Sequence, residues 1–176
     1  MSAGGTRIDV LHGPGAAEVL QPLFDEFGRW VAGRLASDYG LVFDDEALQR
    51  HHRAFQAEFP KLLAPPGCLL VARVDGVTVG SGALKPVGPT TGELKRIFVT
   101  PPARGRGVAR AVVTELLRRA RGQGYTSVRL ESLAFMTEAH GLYRSVGFTD
   151  GQIFDGAEAT ITSALVAHSR FMKVVF

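Results

Sequence analysis

Val99 to Val113 reads VTPPARGRGVARAVV, and this stretch limits the fold more than any other. A strand-like run, ELKRIFVT, leads into it. An apolar helix face leaves it, with Val108, Val112, Val113, Leu116, Leu117 and Ala120 recurring at three and four. Amides at a helix N-terminus point outward without partners, and the helix dipole adds partial positive charge. Gly105 and Gly107 let such a backbone come close to a ligand. Together these features suit a phosphate or pyrophosphate. Two motifs that use the same physics do not fit. The P-loop ends in Gly-Lys-Ser/Thr, whereas Val108 and Ala109 follow Gly107. The dinucleotide fingerprint needs a third glycine where Arg110 stands, and it must open a parallel half-sheet, whereas a hairpin meander precedes this loop. What remains is Arg-x-x-Gly-x-Ala over Arg104 to Ala109.

The rest of the chain sets this joint in a mixed sheet. TRIDVLH, from Thr6, alternates like a strand, and Gly13 to Gly15 stop it. Leu20, Leu23, Phe24, Phe27, Trp30 and Val31 mark a helix from about Ala16 to Ala36. Pro22 lies early in it, where a second helical piece can start. Asp44 to Phe59 forms another helix with acidic residues in its first turn. CLLVARV and VTVGSGALKPV flank Asp75-Gly76, a strong hairpin signal, and ELKRIFVT is a third consecutive strand. After the loop and its helix come the strand TSVRLESL and the short helix TEAHGLYRSVGF, with Thr137 as its expected cap. RFMKVVF is the last strand. The fold class is therefore α/β: a mixed, mostly antiparallel sheet flanked by helices, with residues 1–176 as a single domain. Thr149 to Ser169 has no clear pattern.

Composition narrows the function classes. A chain of 176 residues with 45% hydrophobic and 21% charged residues suits one globular core. A net charge of +3 does not by itself call for nucleic acid. RRAR at Arg118 to Arg121 reads as a solvated helix end, where the dipole favours cations. The single cysteine, Cys68, lies in an apolar strand and forbids a disulfide within the chain, which suggests a reducing compartment. No apolar run approaches the roughly 18 residues of a membrane span, and the N-terminal residues show no signal core. The expected location is cytoplasmic, with no nucleic-acid or membrane partner.

Two motifs in order, with a strand between them, give the chain a relative. ELKRIFVTPPARGRGVARAVVTELLRRARGQGY, then VRLES, then EAHGLYRSVGF resembles the GNAT superfamily of acetyl-CoA-dependent N-acetyltransferases. The resemblance covers about residues 68–148. It implies the acyl-CoA N-acyltransferase fold, with acetyl-CoA as cosubstrate, no metal, and an amine acceptor. It further implies that backbone groups of Ile97, Phe98 and Val99 grip the pantetheine arm. Amides from Arg104 through Gly105, Arg106, Gly107, Val108 and Ala109 to Arg110 cradle the pyrophosphate. The thioester lies where the strands starting at Glu93 and Thr126 splay apart, and an amide near Phe98 polarises its carbonyl.

An alkyl ammonium has a pKa near 10, so something must accept its proton before attack. Glu93 lies where some family members carry a catalytic glutamate; it reads equally as a strand charge paired with Lys95 or Arg96. Tyr143 matches the family's general acid for the departing thiolate, with core packing as the other reading. Many members have Asn where Met136 stands, so Thr137 or a backbone group takes over its pantetheine contact. His51 and His52 diverge on a helix and cannot chelate one metal. His140, in the last helix, reads as a solvated residue, with a place facing the cofactor as the other reading. Trp30, Asp38, Tyr39 and His51 lie on the helices that wall the acceptor pocket in the family, and ordinary packing or surface roles suit each. The expected activity is direct acetyl transfer in a ternary complex to a small amine, with Cys68 outside the motif. A protein N-terminus or lysine as acceptor, and a non-catalytic acyl-CoA-binding module, remain as alternatives. A homodimer is common in the family.

Overall fold

The computed structural model describes residues 5–13, 15–63 and 65–176. Pro14, in the middle of the expected first stop, lies outside them. Strand β1 (Arg7–Val10) leads to two helices, α1 (Ala16–Tyr39) and α2 (Asp45–Leu63). The meander β2 (Cys68–Val74), β3 (Val77–Pro86) and β4 (Thr91–Val99) follows. Then come α3 (Val108–Gly122), β5 (Ser127–Leu133), α4 (Thr137–Ser145), the short β6 (Thr149–Asp150) and β7 (Ser169–Val175). Among the described residues these strands form one sheet in the order β1-β2-β3-β4-β5-β7-β6. The pair β4 and β5 is parallel and the other pairs are antiparallel.

Local chemistry accounts for the joints. Asp75 and Gly76 both have positive φ, 50° and 81°, and Val74 pairs directly with Val77, so a two-residue turn closes the hairpin. Asp44 caps α2 by accepting the Ala47 N–H at 2.8 Å. Pro22 does not divide the first helix, which runs unbroken to Tyr39. Leu20 and Leu23 on either side of Pro22 are buried against the sheet, and this packing carries the helix through a residue that lacks an N–H.

The sheet has an apolar layer on each side. Facing α3, Leu70, Leu84, Leu94, Val128 and Leu130 pack with Val108, Val112, Leu116, Tyr143 and Phe148. Facing α1 and α2, Leu69, Val71, Ala83 and Phe98 pack with Leu20, Leu23 and Leu62. Gly82 is the closest approach of α3, since a Cβ there would lie 2.5 Å from Val112 Cγ1. The segment after β6 forms two 3-10 turns, Glu158–Ile161 and Ser163–His168, and crosses the α1/α2 side as a strap.

Candidate active site

Register makes a wedge at the centre of the sheet. Thr91 to Leu94 pair with Ser127 to Leu130, and the parallel ladder stops there. β4 continues beside β3 to Val99, while β5 continues beside β7 to Leu133. The strands therefore part beyond Leu94 and Leu130, the splay expected from the sequence. β4 also carries a bulge. Ser81 faces Phe98 and Ala83 faces Lys95, so β3 advances two residues while β4 advances three. Arg96 takes up the excess at φ 58°, and Ser81 Oγ donates to its carbonyl at 2.8 Å.

The loop beyond β4 opens toward α3. Pro101–Ala103 form one 3-10 turn, and Gly105 and Gly107 follow at φ 72° and 79°. Ala111 N–H donates to Gly107 O at 3.0 Å, so the amides of Val108, Ala109 and Arg110 precede the helical ladder. A Cβ on Gly105 or Gly107 would meet no protein atom within 4 Å, so the space in front of this backbone is open. One expectation changes here. The Arg104 amide donates to Pro101 O at 3.2 Å, closing the 3-10 turn, so the row of free amides starts at Gly105. The Arg104 side chain binds Val99 O at 3.0 Å and lies over Trp30 at 5.0 Å. Arg110 reaches Ser145 Oγ at 2.9 Å and ties α3 to α4.

Tyr143 is 5% exposed, packs on Phe148 and belongs to the core on the α3 side. Burial raises its hydroxyl pKa above the usual 10, which keeps it protonated and able to donate. Thr137 is the first helical residue of α4 rather than its cap; Met136 holds the cap position without a side-chain bond to the helix. Met136 Sδ accepts from Ser132 Oγ at 3.5 Å. His140 is 5% exposed, not solvated. Its Nε2 lies 3.2 Å from Ser132 Oγ, and burial lowers its pKa, with Arg144 and Arg170 adding to the effect.

The α1/α2 face is different. Glu93 is 2% exposed, and Arg129 holds it at 2.9 Å with Lys95 at 3.4 Å. Lys95 also meets Glu58 at 3.0 Å and Glu158 at 3.4 Å. Arg96 bridges Glu58 and Glu158, each at 3.1 Å, and Lys85 completes the set at 2.7 Å from Glu58. Burial alone would lower the Lys95 pKa, but Glu158, Glu58 and Glu93 outweigh it and raise it. Burial opposes the charge on Glu158, yet Arg96 and Lys95 hold its pKa down at about 2. Glu131 accepts the amides of Glu158 and Ala159 at 2.6 and 2.8 Å, fastening the strap. Burial raises its pKa despite those bonds.

Glu93 and Tyr143 thus lie on opposite faces of the sheet, with the wedge between β4 and β5 joining the two sides. Trp30 packs edge-on against Phe135 at 5.3 Å, beside the wedge. Tyr39 stacks with His168 at 4.2 Å, and His51 Nε2 lies 3.2 Å from Thr162 Oγ1, so both helices reach the strap. Asp38 pairs with Arg34 at the surface. The sequence expectation left out Glu58, Arg129 and Glu158. Two adjacent cations, Lys95 and Arg96, inside a buried strand were the available signal, because strict alternation would have turned one of them into the apolar core.

A family model described as acetyltransferase (GNAT) family matches residues 34–148. The chain is similar to the uncharacterized N-acetyltransferase YjgM of Escherichia coli, 26% identical over 145 residues, covering 81% of this chain and 79% of that protein. Two further curated relatives match over only 53% and 59% of their own length. In fold it is similar to a putative acyl-CoA N-acyltransferase from Klebsiella pneumoniae, with TM-score 0.68, 20% identity and 97% of each chain covered. N-acetylglutamate synthase from Neisseria gonorrhoeae, solved with coenzyme A and N-acetyl-glutamate, has TM-score 0.60 and 16% identity, covering 97% of this chain and 35% of that one.

Proposed function

The chain belongs to the acetyltransferase (GNAT) family, and on that premise we propose that it moves the acetyl group of acetyl-CoA to a primary amine of a small molecule, by direct attack in a ternary complex. The observation that carries this is the joint between β4 and α3. Its amides from Gly105 to Arg110 have no backbone acceptor among the described residues, and the space beside Gly105 and Gly107 at this helix N-terminus is open, which suits a pyrophosphate. β4 brings Ile97, Phe98 and Val99 past the wedge on the way to that joint, where their backbone can pair with an extended pantetheine arm. Thr137, exposed at the start of α4, supplies the polar group that Met136 lacks.

Acetyl-CoA supplies an activated acyl group, and the chain supplies position and protons. An amide near Phe98 polarises the carbonyl. Tyr143 donates its proton to the departing thiolate. Glu93 receives the ammonium proton through water, because Arg129 and Lys95 already hold its carboxylate and it is 2% exposed. The strap supports a small acceptor over a protein chain. It crosses the α1/α2 side and borders a cavity of about 230 Å³. Cys68 is free and buried, which suits the cytoplasm as the place of action.

Incubation of the protein with acetyl-CoA and a panel of small amines tests this. Thiol release together with an acetylated product by mass spectrometry is the expected result. Binding of acetyl-CoA without turnover of any amine would instead leave a non-catalytic module.

A further inference from the structure

The cavity under the strap lies between α2, β3, β4 and residues Gly156 to Ile161. Its lining holds four cations, Lys61, Lys85, Lys95 and Arg96, against two carboxylates, Glu58 and Glu158. Four minus two leaves an excess of two positive charges. The bulge in β4 turns Arg96 to the same face as Lys95, so two successive cations stand where β4 leaves β5. Phe55 backs the Arg96 guanidinium at 4.7 Å, and the buried Arg96 Nε has no hydrogen-bond partner among the described residues. A buried donor on a charged group is rarely left unpaired.

Building on the N-acetyltransferase activity just described, we propose that this cavity selects an acceptor that carries a carboxylate close to its amine, with the carboxylate received by Arg96 and Lys95. Three features converge on that class. Beside its bonds to Glu58 and Glu158, the Arg96 guanidinium keeps an unpaired Nε donor, and a guanidinium matches a carboxylate in shape and charge. The cavity, at about 230 Å³, suits a compact amino acid better than a peptide. A polyamine or lysine side chain would add positive charge to a lining that already has an excess of it. Position agrees: Lys95 and Arg96 directly follow Leu94, the last residue paired with β5, so a carboxylate held there leaves its neighbouring amine at the mouth of the wedge.

Matched pairs test the inference: glycine with glycinamide, alanine with alaninamide, and β-alanine with β-alaninamide. Rates are compared at equal free-amine concentration, because the amide lowers the amine pKa. The acids should show kcat/KM about tenfold higher or more, mostly through KM. Arg96→Gln should bring the ratio close to one. Arg96 also ties Glu58 to Glu158, so this variant can lose its fold. Lys61→Gln, at the exposed rim, is the second variant and should cut the ratio about two- to threefold with an unchanged Tm. Amides that react as well as the acids overturn the inference and leave the N-acetyltransferase activity standing. An acid preference left unreduced in every variant that folds also overturns it. No acetylated product from any pair, where other small amines are acetylated, also overturns it; no product from any amine of the panel, from protein that binds acetyl-CoA, overturns the small-amine activity itself.

Discussion

On the α3 side of β4, Leu94 and Ile97 pack into an apolar core, and backbone amides are the groups proposed to hold the cosubstrate. On the opposite side, Glu93, Lys95 and Arg96 meet Glu58, Glu158 and Arg129 in a lattice of buried charges. The first side needs shape: glycines at positive φ, a helix end and small spaces. The second needs pairing, because each charge is held by partners from another element. A backbone site recognises what every acyl-CoA shares, whereas a side-chain lattice can be tuned to one acceptor. The same strand thus serves two demands, and the bulge at Arg96 is what lets it do so.

The largest expected effect breaks the backbone side alone. Gly107→Glu adds a charged side chain at φ 79°, and its Cβ meets no neighbouring protein atom within 4 Å, so the fold should survive with about 1–2 kcal/mol of strain. Acetyl-CoA affinity measured by calorimetry should fall at least about 100-fold, from charge repulsion and blocked approach. Near-normal affinity would remove the amide cradle from the account.

Next is Tyr143→Phe, which keeps the ring packed on Phe148 and removes the proton donor. A general acid is worth about 10²–10⁴-fold, so kcat should drop at least tenfold with acetyl-CoA affinity unchanged. Unchanged turnover, with chemistry rate-limiting, would make Tyr143 a core residue only.

Glu93→Gln probes the charged side and should have a smaller, pH-dependent effect. The variant cannot accept the ammonium proton, so it depends on free amine, a fraction that rises about tenfold per pH unit below an amine pKa near 10. Its deficit should be greatest near neutrality and shrink toward pH 9. A deficit equal at every pH would mean that Glu93 acts only by holding Arg129 and Lys95 in place.

The smallest effect concerns stability. Burial lowers the pKa of both His140 and His51 below the ordinary 6.5. The native state then resists a proton that the unfolded chain accepts. Their contribution is therefore complete above about pH 6.5 and is lost as pH falls through that value toward the folded pKa. Tm should drop by about 2–4 °C between pH 7 and pH 5, and His140→Gln should flatten part of that slope. A slope unchanged by the substitution would place the titrating group elsewhere.

The two sides also differ in what the sequence makes visible. The helix face from Val108 to Ala120 repeats every three or four residues, and each expected member is buried. The Gly105–Gly107 loop and Asp75-Gly76 turn are local and readable, because a positive φ asks for particular residues in place. The lattice leaves no such mark. Glu58 finds Arg96 across 38 positions and Arg96 finds Glu158 across 62, distances over which periodicity says nothing. The strap is fastened by Glu131 to two backbone amides, a contact that depends on three-dimensional arrangement alone. The burial of His140 is hidden for a similar reason: its partner, Ser132, belongs to the strand beneath α4, and a polar residue on a short helix looks solvated until that strand is in place.

Amide hydrogen exchange of the unmodified protein, with and without saturating acetyl-CoA, tests the central claim most directly. Exchange should slow across Gly105 to Arg110 and near Phe98. The Glu158 and Ala159 amides, which Glu131 already holds, should exchange as before. A loop that exchanges at the same rate with the cosubstrate bound would contradict the account.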